Sequence, residues 1–193
     1  MATKRMTIRV TAGVMVFVLL AIGAAWALHG QSSGDIAAGS MLKVSSASFM
    51  DGSVMPTRLT CDGPNLSPDL HWSTPPAGTK SYVIVMDDSD APFGFTHWLA
   101  YDLPRDAQGL PEGASTSAKR LDHAAEGRNS FGNIGYGGPC PPTGKPHHYV
   151  FKVYALDADP ALPAGQDESQ LVAAIKTHVL AKGTLTGLYG RNG

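Results

Sequence analysis

Two stretches of this sequence concentrate groups able to do chemistry. The first, MDDSDAPFGFTHW at residues 86–98, sets Asp87, Asp88 and Asp90 behind the apolar run SYVIV and ahead of Pro92 and His97. The second, GYGGPCPPTGKPHHY at residues 135–149, holds four glycines and four prolines and ends in His147, His148 and Tyr149. Acids at the end of a buried strand are either a solvated turn or carboxylates held for a ligand, and polarity alone does not separate the two. A calcium loop is excluded. Counted from Asp88 the third position is Asp90, but the fifth is Pro92 and the twelfth Leu99, where oxygen ligands are required. Pro92 stiffens the turn, and a cis Ala91–Pro92 bond would aim the acids in one fixed direction. In the second stretch so many glycines and prolines preclude a strand or helix. They make a rigid loop. It is either a stiff connection or, because glycine lets backbone N–H groups approach a ligand closely, an anion cradle.

His97 opens an apolar strand, and by simple alternation it shares a face with Leu99, Tyr101 and Leu103. A lone histidine there reads equally as a satisfied core residue. His147 and Tyr149 project to one face of the following strand and His148 to the other. Each loop thus delivers a histidine to the start of a core strand, which suggests a pocket at one end of the fold. Enzymatic readings find less support. No G-x-S-x-G elbow presents a serine nucleophile. Cys140 sits between Pro139 and Pro141, with no helix N-terminus to lower its pKa. His97, His147 and Asp88 have the ligand types of a zinc site, but their spacing specifies none. No catalytic residue, metal or cofactor is assigned.

The elements that must hold these loops read mainly as strands. Alternating or continuous apolar runs fall at 41–49, towards Trp72, at 80–87, 96–103, 147–157 and 184–191. One helix is predicted over Asp167 to Gly183, with an acidic start, a glycine stop and Leu171, Ile175 and Val179 at helical spacing. No strand alternates with a helix in a βαβ rhythm. The expected fold is therefore mainly β, an antiparallel β-sandwich with a C-terminal helix and few other short helices. The formal charge of −1 and the charged fraction of 16% give no electrostatic reason to expect nucleic acid as partner.

The N-terminus is separate. Lys4, Arg5 and Arg9 precede the apolar run Val10 to Leu28, which predicts export to an extracytoplasmic, periplasmic compartment. AWA at 25–27 offers a cleavage site, while the run also approaches the ~20 residues that span a bilayer. Residues 1–28 are thus either a cleaved signal peptide or a retained transmembrane anchor contacting the membrane. Residues 29–40 read as a flexible linker and 41–193 as one domain.

The segments DDSDAPFGFTHWLAYDLP and GYGGPCPPTGKPHHYVFKVYALD resemble the two signature motifs of the phosphatidylethanolamine-binding proteins, also called Raf kinase inhibitor proteins, and most resemble their bacterial and archaeal branch. TCDGPNLSPDLHW, PPAGTKSY, GRNSFG and HVLAKGTLTGLYGR support the match, which runs from about Met41 to Arg191. The resemblance implies an antiparallel β-sandwich with a small pocket for phosphate-type head groups. It implies that Asp88, His97, His147 and Tyr149 line the pocket, and that Gly138, Cys140 and Pro142 form its rim. Asp90, with Pro92, then pins the turn. Two departures stand out: Ser89 replaces the first proline of the usual Asp-Pro-Asp-Ala-Pro, and only His97 stands where animal members often carry paired histidines.

The leading expectation is a non-catalytic, exported binder of a small anionic ligand or phospholipid head group. The alternatives are a protein-directed inhibitor, of a protease or kinase, using the pocket rim, and an Asp/His hydrolase. The identity of any protein target is not legible. Cys61 and Cys140 are the only cysteines, an even count that in an exported domain suggests a bridge, with two separate thiols as the alternative.

Overall fold

The computed structural model describes residues 40–116 and 121–191. The N-terminal run and all but the last residue of the predicted linker lie outside them. Among the described residues no helix is long and apolar enough to cross a membrane. Their regular elements are β1 (Ser40–Met41), β2 (Val44–Ser45), β3 (Ser53–Val54), β4 (Leu70–Trp72), β5 (Ser81–Asp88), β6 (Phe95–Pro104), β7 (Gly109–Leu110), β8 (Ala125–Glu126), β9 (His147–Leu156), the helix α1 (Glu168–Ile175) and β10 (Val179–Tyr189). A single short 3-10 turn covers Thr57–Leu59.

Strand β5 sits inside a seven-stranded sheet ordered β1-β10-β9-β5-β6-β8, with β3 also pairing β10, and the second sheet is β2-β4-β7. The long pairs β5–β6, β5–β9 and β9–β10 are antiparallel, and only the short β1 and β3 run parallel to β10. The continuous apolar run of β5 follows from burial on both faces. Tyr82, Ile84 and Met86 join Leu70, Trp72 and Val44 in the core between the sheets. Val83 and Val85 point the other way and pack with Leu99, Tyr101 and the helical Leu171 and Ile175. Among the described residues the architecture is mainly antiparallel and two-sheeted with the α-helix α1, as expected from the sequence.

The helix is shorter than its sequence pattern predicts. Asp167 caps it: its Oδ1 accepts from the Gln170 N–H at 2.9 Å, and its own N–H donates to the Gln170 side chain at 3.0 Å. Leu171 and Ile175 are fully buried, each worth about 2 kcal/mol. The helix then stops at Ile175, and Val179 opens β10 opposite Leu156 of β9. Cross-strand pairing along all of β9 wins over the helical spacing of Val179, because that spacing fits either element.

Strand β6 also departs from simple alternation. Its register on β5 slips between Met86 and Asp87, where Trp98 and then Thr96 are the partners, leaving His97 as the extra residue of a bulge. A second slip, between Tyr82 and Ile84, coincides with Asp102 at φ 58°. A bulge re-aims a side chain. His97 therefore faces Tyr149, on the side of the inter-sheet core, whereas Leu99 and Tyr101 face the helix. The predicted common face for His97, Leu99 and Tyr101 does not form.

Candidate functional site

Three loops converge at one end of β5. Asp88 is the last residue of β5 and lies opposite Tyr149 of β9. Alternation along β5 sends its carboxylate to the face of Met86, while Asp87 goes to the other face and pairs with Lys152 at 2.8 Å. Asp88 is 5% exposed, and both of its oxygens are engaged. Oδ1 accepts from the Asp90 N–H at 2.9 Å and the Ala91 N–H at 3.1 Å, and Oδ2 lies 2.7 Å from His147 Nδ1. A carboxylate only accepts, so His147 carries its hydrogen on Nδ1.

The turn expected to be pinned by Asp90 is thus pinned by Asp88. Asp90 instead fastens the loop to β9, accepting from the His148 N–H at 2.6 Å with His148 Nδ1 at 2.7 Å. These bonds, the backbone one first, hold the Asp90 carboxyl below its ordinary range. Ser89 adds a main-chain bond to the His148 carbonyl at 3.0 Å, which a proline at that position cannot make. Every described peptide bond is trans, so no cis Ala91–Pro92 bond aims the acids.

His97 is 2% exposed. Its Nδ1 lies 2.7 Å from the Gly137 carbonyl, which only accepts, so the neutral ring keeps a hydrogen on Nδ1 and bares Nε2. Burial pushes its pKa below the usual histidine value, opposed mainly by the Gly137 carbonyl. Phe95, Tyr149 and Phe131 enclose the imidazole at centroid distances of 4.9, 5.1 and 5.3 Å.

A cavity of about 200 Å³ brings together Asp88, Pro92, His97, Cys140, Pro142, His147 and Tyr149. Phe95, Phe131, Ala91 and Pro141 complete its wall. Tyr149 is fully buried, and its hydroxyl makes no hydrogen bond of normal geometry among the described residues, although Asp88 and the Cys140 main chain lie close enough to act on it. Burial and then the Asp88 charge raise its pKa far above the ordinary tyrosine value, so it stays protonated. A buried polar group without a well-formed hydrogen bond is costly, and cavities of this kind take a ligand or ordered water. His148 is exposed and lies outside the cavity.

Gly138 is not in this wall. The glycine loop holds the site together rather than cradling an anion, because its glycine N–H groups are already bonded. Those of Gly135, Gly137 and Gly144 donate to the carbonyls of Gly127, His97 and Arg191, and that of Gly138 to Asn65 Oδ1. Gly138 is required for close approach: a Cβ there would lie 2.4 Å from both Asn65 Oδ1 and the Leu59 carbonyl. Cys61 and Cys140 form a disulfide, and the Cys61 N–H donates to the Pro139 carbonyl, so the segment beside Gly138 is tied down on a second side.

Sequence reasoning missed Phe131, Asn65, Asn129 and Glu126. Buried Asn129 closes the loop that presents Phe131, donating to the Gly135 carbonyl and accepting from the N–H groups of Phe131 and Asn133. Glu126 is 2% exposed and accepts from Trp98 Nε1, the Ser115 hydroxyl and the Leu121 N–H. The local signals for that loop were the glycines flanking Asn129 and Phe131 and the GRNSFG segment itself, which the resemblance marked without giving its residues a role.

The sequence model of the family described as phosphatidylethanolamine-binding protein matches residues 45–190. The chain belongs to that family. It is 42% identical over 159 residues to a UPF0098 protein of Aquifex aeolicus, covering 81% of this chain and 92% of the relative. It is 35% identical over 157 residues to the UPF0098 protein YbhB of Escherichia coli, covering 77% of this chain and 99% of that one. The crystal structure of E. coli YbcL, described as a new member of the mammalian PEBP family, superposes with a TM-score of 0.74 at 34% identity, over 79% of this chain and all (100%) of that one. A homolog from Chlamydia trachomatis gives 0.72 at 32%, over 80% of this chain and 100% of its own. The relatives span bacteria and archaea, as the signature segments imply.

Proposed function

We propose that this chain is a non-catalytic binder of a small phosphate-bearing ligand of the phospholipid head-group class. The observation that carries the reading is the buried Tyr149 hydroxyl, without a hydrogen bond of normal geometry in a cavity it shares with His97, His147 and Asp88. A phosphate oxygen would accept from Tyr149, and the bared Nε2 of His97 would take or share a proton with the same group. Asp88 serves as the brace of His147 and of the turn. Using it as nucleophile or metal ligand would break bonds it already makes, which disfavours a hydrolase. Lys4, Arg5 and Arg9 ahead of the apolar run support an exported protein, and the disulfide suits an oxidising compartment. Titration calorimetry of the full-length chain with phosphoethanolamine tests the reading. Saturable one-to-one binding is expected, and heats no larger than dilution would overturn it.

One observation favours a second reading, a protein-directed inhibitor acting through the rim. Phe93, one residue beyond Pro92, is fully exposed and holds φ at 70°, an uncommon conformation for a bulky residue. An exposed ring in this position suits a partner's pocket. On this reading, Phe93→Ser abolishes capture of a target without changing phosphoethanolamine binding.

A further inference from the structure

The bulge that turns His97 into the cavity is braced from the opposite face of the sheet. With Trp98 opposite Met86, the regular antiparallel register would set His97 opposite Asp87 and turn its ring to the helix face. Thr96 is opposite Asp87 instead. His97 and Trp98 then both face the inter-sheet core, while Thr96 faces α1. Thr96 is 7% exposed and bonded through main chain and side chain alike. Its N–H donates to Ser130 Oγ at 3.0 Å, and its carbonyl accepts from the Ser130 N–H at 2.8 Å. Its hydroxyl donates to Glu168 Oε2, in the first turn of α1. In the regular register Thr96 would turn to the other face and lose this bond. Glu168 is half-buried, and burial first, then the Asp87 charge, hold its carboxyl above the ordinary range. Asp87 spends Oδ2 on Lys152 and keeps Oδ1 buried without a hydrogen bond among the described residues. A neutral acceptor at position 168 therefore suits the place as well as a carboxylate does.

We propose that Thr96 and Glu168 are positioning residues for His97. The bond from α1 holds the bulge in the register that carries the imidazole into the cavity. Neither residue lines that cavity, so both act through the strand. The inference rests on the phosphate reading of the cavity, yet the bulge itself is measurable without a ligand. One hydrogen bond to a carboxyl group amounts to about tenfold in the population of the braced register.

The test is nuclear magnetic resonance of the ligand-free full-length chain, following exchange with water of the His97 Nδ1–H that donates to the Gly137 carbonyl. Thr96→Val keeps the β-branched shape and removes the hydroxyl, Glu168→Ala removes the acceptor, and Glu168→Gln keeps an acceptor oxygen. Exchange is expected to be about tenfold faster in Thr96→Val and in Glu168→Ala, no faster still in the double variant, and within about twofold of the parent in Glu168→Gln. The two single variants break the same bond, so either one that folds decides the result. Amides of the β9–β10 ladder keep the parent's rates, and phosphoethanolamine affinity, read by calorimetry, falls in the same order as the exchange rises. Unchanged exchange in the single variants, additive effects in the double variant, or damage by Glu168→Gln equal to that by Glu168→Ala would each overturn the positioning role. So would acceleration spread evenly over the β9–β10 amides, or an affinity unchanged where exchange at His97 is faster. Absence of phosphoethanolamine binding by the parent would overturn the phosphate reading, and exchange at His97 would still decide the brace.

Discussion

Phosphate binding in this pocket should be coupled to the uptake of a proton, and the geometry fixes the sign. The Gly137 carbonyl holds His97 Nδ1–H, so only Nε2 faces the ligand. Burial lowers the His97 pKa, so at pH 7 and above that nitrogen is a lone pair. A phosphate monoester above its second ionisation, near ~6, also presents only lone pairs. Two acceptors do not bond, and one proton added to either makes the hydrogen bond. The complex therefore binds up to about one proton more than its free components wherever both are deprotonated, and affinity falls by as much as about tenfold for each pH unit above ~7, less where the Tyr149 hydroxyl alone carries the phosphate. An unshifted histidine near ~6.5 would place the loss between pH 6 and 8. The lowered value for His97 moves protonation of the free ring to more acidic pH, but leaves the linkage intact above it. Calorimetry with phosphoethanolamine at pH 7.0 and 8.0, in buffers of small and large ionisation enthalpy, measures both quantities. An affinity constant over that interval, with no buffer dependence of the heat, would refute the assignment of His97 Nε2 to the ligand.

Other consequences concern the frame of the site. Gly138→Ala places a methyl against the Leu59 carbonyl and Asn65, main-chain and bonded atoms that cannot step aside. It should cost about 2–3 kcal/mol, read as a fall in melting temperature of about 5–10 °C. Asp102, at φ 58°, has its pKa pushed up to about 6, by burial first and then by Asp159. The folded state thus holds this proton more tightly, so the contribution to stability is present below about pH 4 and lost as pH rises through about 6. Asp102→Asn tolerates the left-handed backbone, and its amide oxygen keeps the Ala161 N–H bond. It should stabilise by about 1 kcal/mol at pH 7, allowing for solvent screening, and not at pH 4, as thermal melts at the two pH values will show. The Cys61–Cys140 bridge spans 79 residues of sequence and contributes about 4 kcal/mol by chain-entropy reasoning. Unreduced, denatured protein should show no titratable thiol, and reduction should release both while lowering the melting temperature.

The fold was legible where burial leaves a pattern. Strands β5, β6 and β9 announce themselves as apolar runs, and the start of α1 is readable from the acidic Asp167. What escaped depends on partners remote in sequence. The bulge at His97 exists only in its register against β5, so alternation counted along β6 alone aims the imidazole at the wrong face. The end of α1 is set by β10 pairing with β9, which the spacing of Val179 does not reveal. In the site, residue types pointed only to two histidine-bearing loops at one end of the fold; the resemblance grouped Asp88, His97, His147 and Tyr149, and the cavity brings all four together. The glycine N–H groups, read as a candidate cradle, have partners at Gly127, His97, Arg191 and Asn65 that no local motif specifies.

The central claim, that His97 and His147 face a bound phosphate, is tested most directly by calorimetry of phosphoethanolamine with the double variant His97→Ala/His147→Ala, using His148→Ala as the reference. His148 is exposed, outside the cavity and paired with Asp90. Loss of two charge-assisted contacts should weaken binding by at least ~100-fold. His148→Ala should stay within about twofold of the parent, and circular dichroism should show all variants folded. Equal affinity of a folded double variant and the parent would contradict the account.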